Sequence, residues 1–240
     1  MLCSVSSIGI CLWLFKDDLR LTSLSSSSSK HKPQPERYAV LKEDISIRKE
    51  RLAKRYQAAT TERARKAILS ESRDLLESIL PDMMRCWLGT PWDFNGLTEQ
   101  PGDGKIACGY FVSTVMRDSG FKLHRIKLAQ QPSQTILNAF VPRREMHIRG
   151  GMDYTAFCAM VSSQPKGIYI VGLDKHVGFI VHDGTQLRFI HSSGSAPWCV
   201  VDESQEHAGA LQRSSYRVIG NVTAQHATLK KWLTSEQVYP

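Results

Sequence analysis

Residues 175–193, KHVGFIVHDGTQLRFIHSS, contain two apolar runs separated by the dipeptide Asp183-Gly184. Asp-Gly accepts the positive φ angles of a two-residue β-turn, and Val, Ile and Phe favour strands on either side of it. The segment therefore predicts an antiparallel hairpin. With these two residues as the loop, His176 faces His191. Directly opposed residues point to the same side of a sheet with Cβ atoms about 4.5 to 5.5 Å apart, so this register predicts two neighbouring imidazoles.

The histidine pair also has an ordinary interpretation, as two unrelated strand-end residues, because histidine is often only partly buried in proteins. A one-residue change of register would place the two rings on opposite faces of the sheet. His182 shares the predicted face but lies at the turn, roughly 20 Å from His176 along the strand. We therefore expect His182 to be a surface residue.

The order of the segments predicts an α+β fold. Ser and Pro dominate residues 23–37, which we interpret as a flexible linker, and residues 38–85 are rich in helix formers, which predicts a helical extension whose helix stops at Pro81. Residues 86–240 form the expected main domain. Its predicted elements are a helix at 107–119, a short helix at 134–140, strands at 167–173, the hairpin strands, strands at 198–201 and 216–222, and a helix at 229–233.

The chain has a net charge of +8, which suits an anionic partner such as a cell-wall polymer, a membrane surface or nucleic acid. No recognised nucleic-acid-binding motif accompanies the charge, so nucleic acid is not an expected partner. Residues 1–22 begin with an apolar stretch of signal-sequence length that is too short to span a membrane as a helix. We interpret them as a signal or anchor segment and expect an exported protein; a fortuitously apolar start is the alternative.

The six cysteines include no C-x-x-C pair, so the sequence predicts neither a structural zinc site nor a thioredoxin-like motif. In an exported protein some cysteines can pair, for example Cys158 with Cys199, but connectivity cannot be read from sequence. Cys108 differs from the others because it opens a predicted helix. The apolar residues of one helical face follow it at the expected spacing, namely Phe111, Val112, Val115 and Met116.

Cys108 is therefore the candidate nucleophile. Packing of the apolar face on the sheet would place this cysteine at the helix N-terminus, where free backbone N–H groups and the macrodipole stabilise a thiolate. An ordinary buried cysteine is the competing interpretation, which the adjoining PGDGK turn disfavours. A thiol near a histidine can attack an amide or ester carbonyl, with His176 as the base and His191 holding its ring in the useful tautomer.

Three parts of the chain resemble the NlpC-type cell-wall peptidases, which are compact papain-like cysteine enzymes of bacteria. These parts are TPWDFNG, IACGYFVSTVMRDSGF, and HVGFIV with FIHSS. The resemblance covers about residues 86–195. It implies a papain-like fold with the nucleophile helix packed on a small antiparallel sheet. It also implies that Cys108 is the nucleophile, that His176 is the base and that His191 is the third, orienting residue. Trp92 stands roughly where the family has an aromatic residue, usually Tyr, that lines the cleft and helps the oxyanion site.

The chain departs from the family pattern beside the nucleophile. The family usually has Asp-Cys-Ser-Gly there, whereas this chain has Ala-Cys-Gly-Tyr at residues 107–110. In the family those polar positions help to hold the peptide stem of peptidoglycan, so their loss bears on the substrate more than on the thiol chemistry. Trp92 offers an indole N–H but no hydroxyl. Asp93 and Asn95 are expected to make turns, and a place in the lining of the cleft is the alternative.

These observations lead to the hypothesis of a cysteine peptidase or amidase. It would cleave an amide bond, in peptidoglycan stem peptides or a related small amide, through a thioester intermediate and without a metal or organic cofactor. Anionic cell-wall polymer is a further expected partner. Two alternatives stay open: a thiol acyltransferase with the same three residues, and a noncatalytic cell-wall binding module in which the cysteine and histidines only pack.

Overall fold

The computed structural model describes residues 32–239, which begin with a pair of long helices. α1 (Pro35–Ala58) starts at a proline, whose fixed φ and missing N–H suit the first position of a helix. α2 (Glu62–Arg85) starts after Thr61, whose hydroxyl accepts a hydrogen bond at 3.2 Å from a backbone N–H of the first turn. The helical extension thus begins inside the predicted linker, and the predicted signal or anchor segment over residues 1–22 lies outside the described residues.

α2 continues through Pro81, so the prediction that this proline ends the helix is wrong. A proline in a helix interior removes one backbone hydrogen bond and usually breaks or kinks the helix. Here the apolar face continues beyond the proline, and Leu80, Met83 and Met84 are fully buried. Their packing offsets the missing hydrogen bond, and the helix extends to Arg85.

The rest of the described chain combines shorter helices with one antiparallel sheet. The helices are α3 (Cys108–Asp118), α4 (Arg125–Ala129), α5 (Ser133–Asn138), α6 (Tyr154–Ser162), α7 (Gly209–Arg213) and α8 (His226–Thr234). The strands are β1 (His147–Gly150), β2 (Gly167–Leu173), β3 (Val177–His182), β4 (Leu187–Ser192), β5 (Val200–Ser204) and β6 (Tyr216–Asn221). Their order across the sheet is β1-β6-β2-β3-β4-β5, with antiparallel neighbours throughout. The predicted α+β class is confirmed. From residue 32 to residue 239, no helix combines the length and apolar character needed to cross a membrane.

The hairpin of β3 and β4 is present, but its predicted register is wrong. The loop contains four residues, 183–186, because the Asp183 carboxylate accepts hydrogen bonds from two backbone N–H groups of the loop, at 2.8 and 2.9 Å. The pairing of the strands is consequently shifted by two residues from the predicted one. A shift of two residues leaves every side chain on its original face, so His176 and His191 stay on the same side of the sheet.

Both faces of the sheet are buried. In β2, Ile168 and Ile170 belong to the core beneath α1, α2, α3 and α8, whereas Tyr169 and Val171 belong to a second core beneath α6 and α7. Successive residues of a strand point to opposite faces, so each face has its own apolar layer. This double burial explains why the β2 sequence GIYIVGL is apolar throughout instead of alternating with polar residues.

A series of edge-to-face aromatic contacts joins the helical extension to the sheet. Tyr38 of α1 lies 5.5 Å from Trp87 between ring centroids, Trp87 lies 6.1 Å from Phe111 of α3, and Phe111 lies 5.9 Å from Phe179 of β3. All four side chains are fully buried. The extension therefore shares one hydrophobic core with the predicted main domain, and it braces the helix that begins at Cys108.

Several short elements were not predicted from the sequence, namely β1, α4, α6 and α7. Three of them have only four or five residues, which is too short for a hydrophobic period to be recognised. α6 is nine residues long and is capped by Asp153, whose carboxylate accepts a hydrogen bond from the N–H of Ala156 at 3.0 Å. A disulfide between Cys158 and Cys199, considered from the sequence, is not formed, because both cysteines are free thiols.

A matched pair of substitutions in α1 tests whether the extension belongs to the core. We expect Ile45→Ala to lower the free energy of unfolding by about 2–5 kcal/mol, because Ile45 is 1% exposed within the shared core. Ile47→Ala, at a position of the same helix that is 49% exposed, should cost less than about 0.5 kcal/mol. Urea denaturation of the full chain measures both values, and equal losses would contradict a shared core.

Candidate active site

Cys108 is the first residue of α3. The residues of the predicted apolar face are fully buried, namely Phe111, Val112, Val115 and Met116. They hold the helix against the sheet while the Cys108 side chain stays partly exposed. The preceding residue, Ala107, has no polar side chain to cap the helix, so backbone N–H groups of the first turn remain available to a thiolate or to a bound carbonyl oxygen.

His176 and His191 are in direct contact. The Nε2 atom of His176 lies 2.7 Å from the Nδ1 atom of His191. Gly178 leaves the space for this arrangement, because a Cβ atom there would lie 2.8 Å from the His191 Cβ and 2.7 Å from the Phe189 ring. The His191 ring also stacks on Phe189, with centroids 4.0 Å apart. Apolar packing therefore fixes the orientation of both imidazoles.

Glu203 extends this contact on the far side of His191. Its Oε2 atom lies 3.0 Å from the Nε2 atom of His191. In the pairing of β4 with β5, Glu203 lies opposite Phe189 and Val201 lies opposite His191, so the histidine and the glutamate share one face of the sheet. Glu203 was not predicted as a site residue because the predicted strand ends at residue 201, whereas β5 continues to residue 204.

The three polar side chains form one hydrogen-bonded series with a defined order of protons. A carboxylate only accepts hydrogen bonds, so His191 donates its Nε2–H to Glu203 and its Nδ1 atom must accept. That nitrogen accepts the Nε2–H of His176, which leaves the Nδ1 atom of His176 unprotonated. We infer this tautomer from the network, and it is the form of the imidazole that can take a proton from a thiol.

A cleft of about 810 Å³ contains Cys108, His176, His191 and Trp92 in its lining. A second hollow, of about 390 Å³, also includes Cys108 and His176. The two residues therefore lie where two hollows meet, and a substrate can extend to both sides of the thiol. Among the described side chains, no hydrogen bond joins Cys108 to His176; such contacts are often loose in sites without a substrate.

The environment of Cys108 keeps its thiol neutral. Burial raises the pKa of Cys108, and the backbone N–H groups of Val177, Gly109 and Cys108 itself oppose this rise. Val177 directly follows His176 in the chain, so this contact brings Cys108 to the start of β3. The resting site therefore holds a protonated thiol at pH 7.

Burial also keeps the two imidazoles neutral. Together with the neighbouring His191, it lowers the pKa of His176 from 6.5 to about 3. Burial lowers the pKa of His191 as well, whereas the hydrogen bond and the charge of Glu203 raise it. The cleft is therefore lined by a neutral thiol and neutral imidazoles at pH 7.

Trp92 lies in the wall of the cleft and is fixed by packing. Its ring lies 5.5 Å from the ring of Trp198 between centroids, and a Cβ atom at Gly194 would lie 3.1 Å from the Trp92 ring. Asp93 makes the expected turn by accepting a hydrogen bond at 2.9 Å from the N–H of Asn95. Asn95 also lines the cleft, so this turn contributes to the wall.

The prediction that His182 is a surface residue is wrong. It is only 5% exposed, and it lies on the face of β3 that carries Ile180, which belongs to the second core. His182 and several α2 residues line a separate hollow of about 570 Å³. The Nδ1 atom of His182 has no hydrogen-bond partner among the described residues. His182 does not line the cleft of Cys108.

No family model, curated protein or solved structure matches the chain. The resemblance to NlpC-type peptidases therefore rests on the three sequence motifs. The function must be inferred from the chemistry of the site itself.

The lowered pKa of His176 predicts a loss of stability in acid. The unfolded chain binds a proton at this residue near pH 6.5, whereas the folded chain does so only near pH 3, so the contribution to stability is complete above pH 6.5 and is lost as the pH falls toward 3. We expect His176→Asn to reduce the slope of unfolding free energy against pH in this window by up to about 1.4 kcal/mol per pH unit.

Urea denaturation at a series of pH values measures this slope. His226→Asn is the matched control, because His226 is exposed and should leave the slope unchanged. Equal slopes in the wild type and in His176→Asn would contradict a buried, neutral His176.

Proposed function

We propose that this protein is a cysteine hydrolase that cleaves an amide bond with Cys108 as the nucleophile. The observation that carries the proposal is the hydrogen-bonded series of His176, His191 and Glu203, which leaves one imidazole nitrogen of His176 free in the cleft lined by Cys108. A buried series of this kind defines a tautomer and an orientation for the base, which simple packing of histidines does not require.

The proposed reaction has two halves that use the same base. In the first, the Nδ1 atom of His176 takes the thiol proton as the Cys108 sulfur attacks the amide carbon, and the leaving amine receives that proton when the C–N bond breaks. In the second, His176 takes a proton from water, the hydroxide attacks the thioester, and the thiol is regenerated with release of a carboxylic acid. The backbone N–H of Cys108 is the candidate donor to the oxyanion of both tetrahedral intermediates.

His191 and Glu203 act as positioning residues in this proposal. His191 accepts the Nε2–H of His176, and Glu203 accepts the Nε2–H of His191. As His176 takes the proton, its positive charge develops against a series that ends in a carboxylate, so Glu203 offsets part of the cost of a buried imidazolium.

The papain-like architecture and the substrate class are further parts of the proposal. An antiparallel sheet with a helix-borne cysteine supports a papain-like, NlpC-like arrangement. Peptidoglycan stem peptides are the proposed substrate on the strength of the sequence resemblance, and the net charge of +8 suits an anionic cell-wall polymer and an exported protein.

The proposed function predicts that the reactivity of Cys108 depends on His176. We expect iodoacetamide to modify Cys108 at least about tenfold more slowly in His176→Ala than in the wild type at pH 7, because the general base is lost. Peptide mass mapping separates Cys108 from the other cysteines. His226→Ala, at an exposed position, is the control and should react like the wild type.

If Cys108 reacts at the same rate in His176→Ala and in the wild type, the noncatalytic alternative is favoured. With peptidoglycan fragments as substrate, mass spectrometry identifies the reaction through a new amine and a new carboxylate, and Cys108→Ser should abolish it. Transfer of the acyl group to an added amine instead of water would identify an acyltransferase with the same residues.

Glu203→Gln should lower the rate of amide cleavage by at least about 100-fold. The glutamine amide can donate to the Nε2 atom of His191, which would reverse the proton order and place a proton on the Nδ1 atom of His176. Nitrogen NMR of the imidazoles would detect the changed tautomer while circular dichroism stays unchanged. Glu206→Gln, at an exposed position, is the control, and an unchanged rate in Glu203→Gln would contradict the role assigned to Glu203.

A further inference from the structure

Four large apolar side chains beside the cleft are exposed to solvent. We call them the apolar rim, and each is more than half exposed: Phe94, Leu97, Ile126 and Trp198. Single exposed apolar residues are common on proteins, whereas a cluster of them marks a surface that binds a partner or a membrane. Elsewhere in residues 32–239 only three large apolar side chains are exposed, namely Val40, Ile47 and Tyr239.

Three separate segments bring the apolar rim together at the cleft. Phe94 and Leu97 line the cleft directly. Trp198 joins them through its ring contact with the tryptophan of the cleft wall. Ile126 belongs to α4, and Arg125 of the same helix donates a hydrogen bond at 2.8 Å to the carbonyl oxygen of Leu97. The exposed apolar surface is therefore a product of the tertiary structure and lies beside the cleft that contains the candidate site.

Trp198 is held at this surface in an unfavourable backbone conformation. Its φ angle is 60°, in the left-handed region that bulky residues rarely adopt. The side chain is more than half exposed, so burial in the core does not offset the strain. Strained residues of this kind cluster at functional surfaces. A partner that receives the indole ring would account for an exposed tryptophan at this position.

Three cations accompany the apolar rim. Lys127 directly follows Ile126 in α4, and Lys175 and Arg213 line the cleft. All three side chains are exposed. Within residues 32–239 none of them belongs to an ion pair. Their positive charge is therefore available to an anionic partner.

The acidic residues near this surface offset little of that charge. Asp93 is paired with Lys105 at 3.0 Å, and Glu99 is paired with an arginine of α3 at 2.6 Å. Asp103 and Asp174 are in no ion pair of the described chain, but neither lines the larger hollow. The carboxylate of Asp174 is also bound by one hydroxyl and two backbone N–H groups. Free cations and apolar side chains thus dominate the mouth of the larger hollow.

We propose that the apolar rim and the three cations form a docking surface for a membrane that contains anionic lipids. Trp and Phe are favoured at the level of the headgroups, where aliphatic side chains reach the acyl chains. Lys and Arg are attracted to the negative surface of such a membrane. A protein partner fits this surface less well, because lysine is depleted in protein–protein interfaces.

Docking of this kind goes beyond the proposed function and does not depend on it. The apolar rim lies at the cleft, so docking would turn the cleft toward the membrane. If Cys108 cleaves an amide as proposed, that amide belongs to a molecule held at the membrane surface.

The first test measures the apolar part of the docking surface in the full chain. Cosedimentation with vesicles of phosphatidylcholine and phosphatidylglycerol in equal parts gives the partition coefficient. We expect Leu97→Ser combined with Ile126→Ser to lower it at least about fivefold, because two apolar side chains no longer leave water. Both side chains are exposed, so the fold should be retained.

Val40→Ser combined with Ile47→Ser is the matched control. It removes a similar exposed aliphatic surface from α1, a helix that contributes no residue to the lining of the cleft, and it should bind like the wild type. Residues 1–22 are identical in all variants, so any contribution they make cancels in the comparison. Equal partition coefficients in the two double variants would overturn the proposal.

The second test measures the charged part. Replacing the three cations by glutamine, as K127Q, K175Q and R213Q, should weaken binding to the mixed vesicles at least about tenfold. On vesicles of phosphatidylcholine alone, the triple variant should bind like the wild type. The control removes the same charges at exposed positions outside the cleft, namely Arg63→Gln, Lys66→Gln and Lys230→Gln. Distant charges are screened by salt, so an equal loss of binding in the two triple variants would contradict the docking surface.

A third measurement locates Trp198 in the bound state. Lipids brominated in their acyl chains quench tryptophan fluorescence, and we expect less quenching in Trp198→Phe than in the wild type. The same extent of quenching in both would show that Trp198 does not enter the membrane, against the proposal. A dimer in lipid-free solution that Leu97→Ser with Ile126→Ser dissociates would assign the apolar rim to a second copy of the chain instead. Vesicle binding needs no substrate, so failure of the proposed reaction leaves these results unaffected.

Discussion

The packing of α3 on the sheet is the contact on which the candidate site depends. Phe111 of this helix meets Phe179 of β3, and the same docking places Cys108 beside the backbone N–H of Val177. The helical extension contributes through Tyr38 and Trp87, which continue the aromatic contacts outward, while no residue of α1 or α2 lines the cleft. The extension therefore stabilises the geometry of the site at a distance, through the shared core.

The hydrogen bonds of the site compensate for the burial of its imidazoles. Buried polar groups need hydrogen-bond partners, and both nitrogens of His191 have one, in His176 and Glu203. Only His176 keeps a nitrogen without a partner in this series. The same burial disfavours charge on His176 and on the Cys108 thiol, so the proposed reaction favours proton transfer that is simultaneous with attack.

The charged side chains of the cleft are different residues from those that are proposed to react. The neutral thiol and imidazoles lie inside, whereas Lys175 and Arg213 are exposed beside them. Ala107, at the position where NlpC-type peptidases usually have Asp, also lines the cleft and brings no negative charge to offset the two cations. Among the described residues, the lining of this cleft therefore contains two cations and no carboxylate.

The sequence by itself determined the α+β class, the helix that begins at Cys108, strand β2 and the common face of His176 and His191, because these depend on local periodicity and on parity along a strand. The tertiary structure decided the rest. The loop hydrogen bonds of Asp183 moved the hairpin register by two residues, and packing carried α2 through Pro81. His182 is buried on the face of the sheet that carries the second core. Glu203 joined the histidines only through the pairing of β4 with β5, and the turn at Asp174 met the segment that begins at Ser214 only through the hydrogen bonds of the Asp174 carboxylate. Contacts between residues far apart in the chain leave no period in the sequence, so they become visible only when the elements are packed together.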